Sequence, residues 1–173
     1  MSTASDQVAS LDANTIHEME TYLATLRQVV TSMGPQSPFQ PSLKAMLRIL
    51  AQNHGFIRPN LVIFDPETQT LKLSLTHGTA KNTQASYEPG QGVTGQVFTT
   101  GQPVIVPRMK DHPAFLNKVF GRTDDELADL AFICVPVLSP REDGKDPFET
   151  LGTLSVDTPC ADYDVLESQC RFL

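Results

Sequence analysis

Two short runs of this sequence could do chemistry on a small anion. The first is Gly90-Gln91-Gly92-Val93-Thr94-Gly95, a G-x-G-x-x-G pattern. Its backbone amides cradle a pyrophosphate when a buried strand, a tight turn and a long helix follow one another. The second is basic. Between positions 103 and 122, Arg108, Lys110, Lys118 and Arg122 stand against one acid, Asp111, a net +3 inside a chain of −7. Such an island concentrates and orients a small anion. Each charge-assisted hydrogen bond to a carboxylate contributes about 1.5–3 kcal/mol, so two would hold a dicarboxylate at micromolar to millimolar strength. Arg108, Lys110, Asn117 and Lys118 are the candidate ligand contacts. The competing readings are solvated cations on a loop and an Asn117 that caps a turn.

Other reactive groups form no constellation. Cys134 lies in the apolar run Phe132-Ile133-Cys134-Val135, where a thiol acts as a small buried hydrophobe. Cys160 and Cys170 are the better exposed candidates, but no histidine or cation is fixed beside either one. Three cysteines without C-x-x-C spacing fit reduced thiols in a cytoplasmic protein. His17, His54, His77 and His112 lack metal spacing, so no metal and no cofactor is expected. Asp124, Asp125 and Glu126 read as a solvated run or a helix N-terminus. The acidic balance, with a pI near 4.9, argues against direct nucleic-acid binding. No apolar run approaches the roughly 18 residues of a membrane span, and the N-terminus has no signal-peptide pattern.

The elements that must position these groups decide the glycine question. Pro89 enters the first glycine, where a central strand would need a backbone donor. Only Val93 to Thr100 can be helical before Gly101-Gln102-Pro103, and no G-K-[ST] follows. A pyrophosphate cradle therefore does not fit. Gly90 and Gly92 instead predict a tight turn, Gly95 a close helix-to-backbone approach, and Gly101 a helix end.

Around that turn the pattern predicts one domain of α+β class. Ile16, Met19, Leu23, Leu26, Val30 and Met33 are spaced 3, 4, 3, 4, 3, either an amphipathic helix packing on its own domain or a helix pairing with a second subunit. A second helix starts near Ser37 or Pro41, carries Leu43, Met46, Leu47 and Leu50 on one face, and stops at His54-Gly55. Leu61–Phe64 and Leu71–Leu75 predict a hairpin. Short strands are expected at Gln84–Glu88 and Val104–Val106. A second hairpin, Phe132–Leu138 with Leu151–Asp157, is joined by SPREDGKDPFE. From Ala161 a helix runs to Leu173 without a stop signal, which suggests a chain cut from something longer. The divisions expected are a polar lead over 1–12, a signalling or dimerisation helix over 13–36, a core over 37–160 and the start of a linker helix over 161–173.

GQGVTGQVFTTGQPVIVP, followed by Asp111-His112-Pro113-Ala114-Phe115-Leu116-Asn117-Lys118, resembles the core signature of GAF domains. More narrowly, G-x-G-V-T-G-x-V, T-G-x-P-V-x-V-P, P-x-F-L-N-[KR] and the segment from Cys160 to Leu173 are similar to the N-terminal GAF domain of NifA-type, sigma-54-dependent activators. The resemblance covers the chain from about Thr21 onward. It implies a central antiparallel sheet, terminal helices packed on one face, and a loop-covered pocket on the other.

The resemblance also implies a role. The domain would be a regulatory sensor whose terminal helices pass a signal to an ATPase domain and a helix-turn-helix domain. Neither is encoded here, since G-x-x-x-x-G-K-[ST] and a basic C-terminal module are missing from these 173 residues. The expected inputs are a small anion such as 2-oxoglutarate or a NifL-like or PII-like regulatory protein, acting on a homodimer. The alternatives are a protein-binding and dimerisation module without ligand, and a GAF-type free methionine sulfoxide reductase.

Overall fold

The computed structural model describes residues 39–140 and 148–173 throughout, and His17, Glu20, Thr21, Leu23, Ala24, Thr25, Arg27 and Gln28 in the N-terminal segment, all helical. Leu23 is therefore described from the heptad seam, and Ile16, Met19, Leu26, Val30 and Met33 lie outside the described residues. Leu23 is 63% exposed, whereas Thr25, on the opposite side of the helix, is buried.

Helix α1 spans Phe39–His54 and buries Leu47 and Leu50. Gly55, at φ +64°, ends it in the left-handed conformation that L side chains avoid. Strands β1 (Ile57–Asp65) and β2 (Thr70–Thr76) form the first hairpin. Its turn is tied by Asp65, which accepts from the Glu67 amide at 2.9 Å and from Lys72 at 2.6 Å. Strand β3 is only Ser86–Tyr87, because the Asn82 side chain captures the Gln84 amide and Pro89 removes a donor. Helix α2 (Gly92–Thr100) leads to β4 (Val104–Val106), and a 3-10 turn follows at Met109–Asp111. The acidic run opens a helix, α3 (Asp124–Asp129), with a complete capping box between Thr123 and Glu126. Strands β5 (Leu130–Pro140) and β6 (Phe148–Pro159) form the second hairpin, longer than the apolar runs alone indicate. Helix α4 is Tyr163–Phe172.

All pairings are antiparallel, in the order β3-β2-β1-β6-β5-β4. The central strands are covered on both faces. On one, Leu47 and Leu50 of α1 and Cys170 of α4 pack on Leu61, Ile133, Val135, Leu154 and Val156. On the other, Val93 and Val97 of α2 meet Val106, Met109, Leu130, Phe132 and Cys134. This settles the facing of β5 and β6. Phe132, Cys134, Ser155 and Asp157 point away from the terminal helices, since Phe132 pairs with Asp157 and Cys134 with Ser155.

The glycines shape that second layer. Gly90 and Gly92 have φ of +82° and +64°, and the Gly90 amide donates to the Gly95 carbonyl at 3.0 Å. A Cβ on Gly95 would sit 2.5 Å from the Glu88 oxygen and 2.9 Å from Gly90 backbone atoms. Gly101 caps α2 at φ +64°, its amide donating to Val97. The turn thus opens a nine-residue helix lying on an antiparallel sheet. A Gly95→Ala substitution normally favours a helix by about 1 kcal/mol. Here overpacking against fixed backbone wins, and denaturant unfolding should show a net loss of about 1–3 kcal/mol.

Candidate functional site

The site is built from the floor of the sheet upward. Asp157, near the C-terminal end of the central strand β6, has a fully buried side chain aimed at the face opposite the terminal helices. An isolated carboxylate there would be expensive. Arg122 meets it with two parallel bonds, Nε to Oδ2 at 2.7 Å and Nη2 to Oδ1 at 2.6 Å. Arg58 adds a second cation, its Nε 3.3 Å from Oδ2. Arg58 reaches it because β1 carries an extra residue against β6 between Ile57 and Asn60, and Arg58 itself sits at φ +53°. Such a bulge re-aims a side chain, here at the cost of a left-handed conformation. Arg58 also pairs with Glu126 of α3 at 2.6 Å. Four charges thus join β1, β6, α3 and the segment before α3.

Electrostatics follow the burial. Desolvation pushes the Asp157 carboxyl above its ordinary value against the opposing pull of Arg122 and then Arg58. The bidentate geometry to a guanidinium that remains charged keeps it a carboxylate. Glu126 is held below its ordinary value by the Thr123 amide and by Arg58. Tyr87, buried beside the site, is pushed up to about 12 and remains a neutral donor.

Residues 112–122 lie over this floor. Asn117 closes the loop at its end, donating to the Arg122 carbonyl at 2.8 Å while its Oδ1 accepts from the Arg122 amide at 2.8 Å. The Arg122 guanidinium lies against Phe115 and Phe120, 5.3 and 5.0 Å from their ring centres. Lys118 straps the segment down, donating to the Ser86 carbonyl at 2.9 Å and to Gln91 at 2.8 Å, over the Tyr87 ring. Lys81 donates to the Gly121 carbonyl at 2.8 Å. Beneath the segment is a cavity of about 20 Å³, bounded by Asn60, Tyr87, Thr94, Arg122, Ser155 and the rings of Phe115, Phe120 and Phe132. That is room for one water, so any larger occupant requires the covering segment to move.

The four candidate contacts are dispersed. Arg108 is exposed and 3.9 Å from Asp111, and Lys110 is exposed on the same 3-10 turn. Asn117 is engaged with Arg122, and Lys118 is the strap. None of the four borders the cavity; Arg122 does. Arg58, Asn60, Ser155 and Asp157 carry no motif, and Arg58 and Asn60 give no signal beyond being polar residues in a mostly apolar strand. Among the cysteines, burial pushes Cys134 up to about 12 and raises Cys170, so neither is a ready thiolate. The Cys160 sulfur rests 3.2 Å from the Pro107 carbonyl. Among the described residues no cluster of His, Cys, Asp and Glu could hold a metal ion, and no helix is long and apolar enough to cross a membrane.

The antiparallel sheet with its flanking helices agrees with the comparisons. The GAF-domain profile matches residues 35–173. The chain belongs to the GAF-domain family. A GAF domain from A. aeolicus in an inactive state superposes with a TM-score of 0.73 at 23% identity, over 90% of both chains. The free methionine-R-sulfoxide reductase of Neisseria meningitidis, in complex with its substrate, gives 0.65 at 20% identity, over 87% of this chain and 83% of that one. Among curated proteins, the nitrogen fixation protein VnfA of Azotobacter vinelandii is 30% identical over 138 residues, 78% of this chain and 24% of its own length. The Nif-specific regulatory protein of Azospirillum lipoferum is 30% identical over 117 residues, 66% of this chain and 19% of its own. This GAF domain thus spans about a fifth to a quarter of the length of those two proteins.

Truncating one partner of the buried pair strands the other. Arg122→Met should lose about 3–5 kcal/mol in denaturant unfolding, and adding Asp157→Leu should recover a large part of it. Acid acts at the rim. Because Glu126 titrates below its ordinary 4.5 in the folded state, its contribution is full above that value and is lost as pH falls through the lower folded one. In Glu126→Gln this part of the acid dependence should disappear from pH-dependent melting curves.

Proposed function

We propose that this GAF domain is the regulatory input domain of a transcriptional activator of the nitrogen-fixation class. Its input is a small anionic effector, of which 2-oxoglutarate is the probe of choice, admitted beneath residues 112–122. The response is a repacking of the terminal helices that an ATPase domain and a DNA-binding domain elsewhere in the intact protein would read. The observation that carries the reading is the cover itself. Its straps, from Lys118 to Ser86 and Gln91 and from Lys81 to Gly121, are exposed hydrogen bonds. Exposed contacts of this kind contribute little each and are replaceable by a ligand's own contacts. The similarity to VnfA and to the Nif-specific regulatory proteins supports the regulatory class. A NifL-like or PII-like protein acting on the same surface, and a homodimer paired through the N-terminal helix, belong to the same proposal.

A second reading has its own observation. The cavity holds no more than a water, and Arg122 already has its carboxylate. A domain of that kind would serve protein binding and dimerisation without a ligand, and the exposed Leu23 suits that use. An enzyme of the free methionine sulfoxide reductase type is the third reading, carried by the fold likeness alone.

Calorimetry separates them. With 2-oxoglutarate the sensor reading expects measurable heat, with affinity falling at least tenfold in Arg122→Lys, which keeps a charge for Asp157 but loses the fork of the cation that borders the cavity. No heat with any dicarboxylate, beside tight binding of a regulator protein, supports the module. Turnover of free methionine sulfoxide that is lost in Cys160→Ser would overturn both.

A further inference from the structure

Among the described residues, His54 touches both the entering and the leaving end of the domain. His54 is the last residue of α1, followed by the left-handed Gly55 that turns the chain into β1. Its Nε2 lies 2.9 Å from the Thr25 hydroxyl of the N-terminal helix. Its ring lies 4.1 Å, centre to centre, from Phe172 in the last turn of α4, tilted by 39°, and 5.7 Å from Phe56. Phe172 in turn packs against the core cluster that holds Leu50, Ile133 and Val156.

The neighbouring residue doubles the first arm. The Asn53 amide donates to the Thr25 hydroxyl at 2.9 Å and to the Gln28 side-chain oxygen at 3.0 Å. Thr25 is 1% exposed, although the residues described on either side of it, Ala24 and Arg27, are exposed. A buried hydroxyl held by an amide and an imidazole fixes the rotation of its helix, since any slip leaves a buried polar group unpaired. The aromatic arm works differently. Ring packing is geometric, so a displaced Phe172 moves the imidazole that Thr25 depends on.

We propose that His54 is a coupling residue that makes the position of the N-terminal helix depend on the position of α4, and the reverse. The coupling does not need a ligand. It rests on the Thr25–His54–Phe172 contacts and holds whether or not the effector reading above is right. Coupling between two elements is reciprocal, which gives the test its form. A helix that loosens when α4 is altered must loosen α4 equally when it is altered itself.

Amide hydrogen exchange on the full chain provides the measurement. Thr25→Val keeps shape and removes the hydroxyl, and Phe172→Leu keeps an apolar group and removes the ring. Thr25→Val is expected to lower protection of the α4 amides by about 5-fold or more, and Phe172→Leu to lower that of residues 20–28 by a similar factor, the lower end of typical coupling strengths. The β1–β2 amides should be unchanged. In a His54→Gln background, where a hydrogen-bonding amide can still meet Thr25 but no ring meets Phe172, the cross-effects should vanish. Effects confined to the mutated helix, or cross-effects that persist in His54→Gln, would overturn the proposal. If His54→Gln weakens folding as a whole, β1–β2 protection falls as well. Asn53→Ala then serves as the second variant. It keeps the imidazole route, so cross-effects must survive in it, and their loss there would assign the coupling to Asn53 instead.

Discussion

A carboxylate with no solvent contact organises this domain. Asp157 stands at the centre of the sheet, between Phe132 on one neighbour and Ile57 on the other, with a side chain that water does not reach. Ionised and unpaired it would not survive there. The chain answers with two guanidiniums from opposite directions. Arg58 comes from a bulge in β1 that forces a positive φ, and Arg122 from a loop that Asn117 closes by binding the Arg122 backbone on both sides. The first is locally unfavourable and is explained by the group it serves.

The covering segment inherits its position from that pair. Phe115 and Phe120 flank the Arg122 guanidinium, so seating the arginine seats the rings. Their packing, with Leu116 lodged where a Cβ on Gly92 would fall, joins the cover to the glycine turn. The surface straps from Lys118 and Lys81 add only exposed hydrogen bonds. Backbone bonds also tie the cover, from the Lys81 and Asn82 amides to the Val119 carbonyl and from the Val93 amide to the Ala114 carbonyl, so its weaker edge is the side-chain strap at Lys118. That gradient suits a segment that opens at its rim while staying hinged at Arg122. On the opposite face the terminal helices rest on Ile133, Val135, Leu154 and Val156, which alternate along the same strands with the cavity floor. A shift of those strands is felt on both faces because interiors are close-packed.

Most of the architecture was legible because periodicity reports burial. Leu43, Met46, Leu47 and Leu50 give α1, which has one face to bury, and Leu71, Leu73 and Leu75 give β2. A register shift against β1 nevertheless places Leu75 with Leu61 in the cluster under the terminal helices, and Leu71 and Leu73 with Val62 in another. The glycine run was legible for a different reason. Pro89 and the short reach to Gly101 exclude a long crossover helix, and the coordinates confirm turn, close approach and cap in turn. The doubly covered strands β5 and β6 were harder. A run such as Leu130–Val135, buried throughout, has no alternation from which to read its facing. The basic island was visible as charge, but charge in sequence does not say which cation turns inward. Arg122 does so because Asp157, 35 residues later, receives it. Asp157, Asn60 and Ser155 had no motif, being single polar residues whose partners come from distant strands.

The most direct test of the central claim is tryptic cleavage within the cover when the buried charge is removed. In Asp157→Asn, cleavage after Lys118 and Arg122 should accelerate by on the order of tenfold more than cleavage after Lys44 and Arg48 of α1, which reports the loss of global stability. That excess would mean that the carboxylate holds the cover beyond its share in the stability of the whole domain. Unchanged cleavage at Lys118 and Arg122, or equal acceleration at all four sites, would contradict the account.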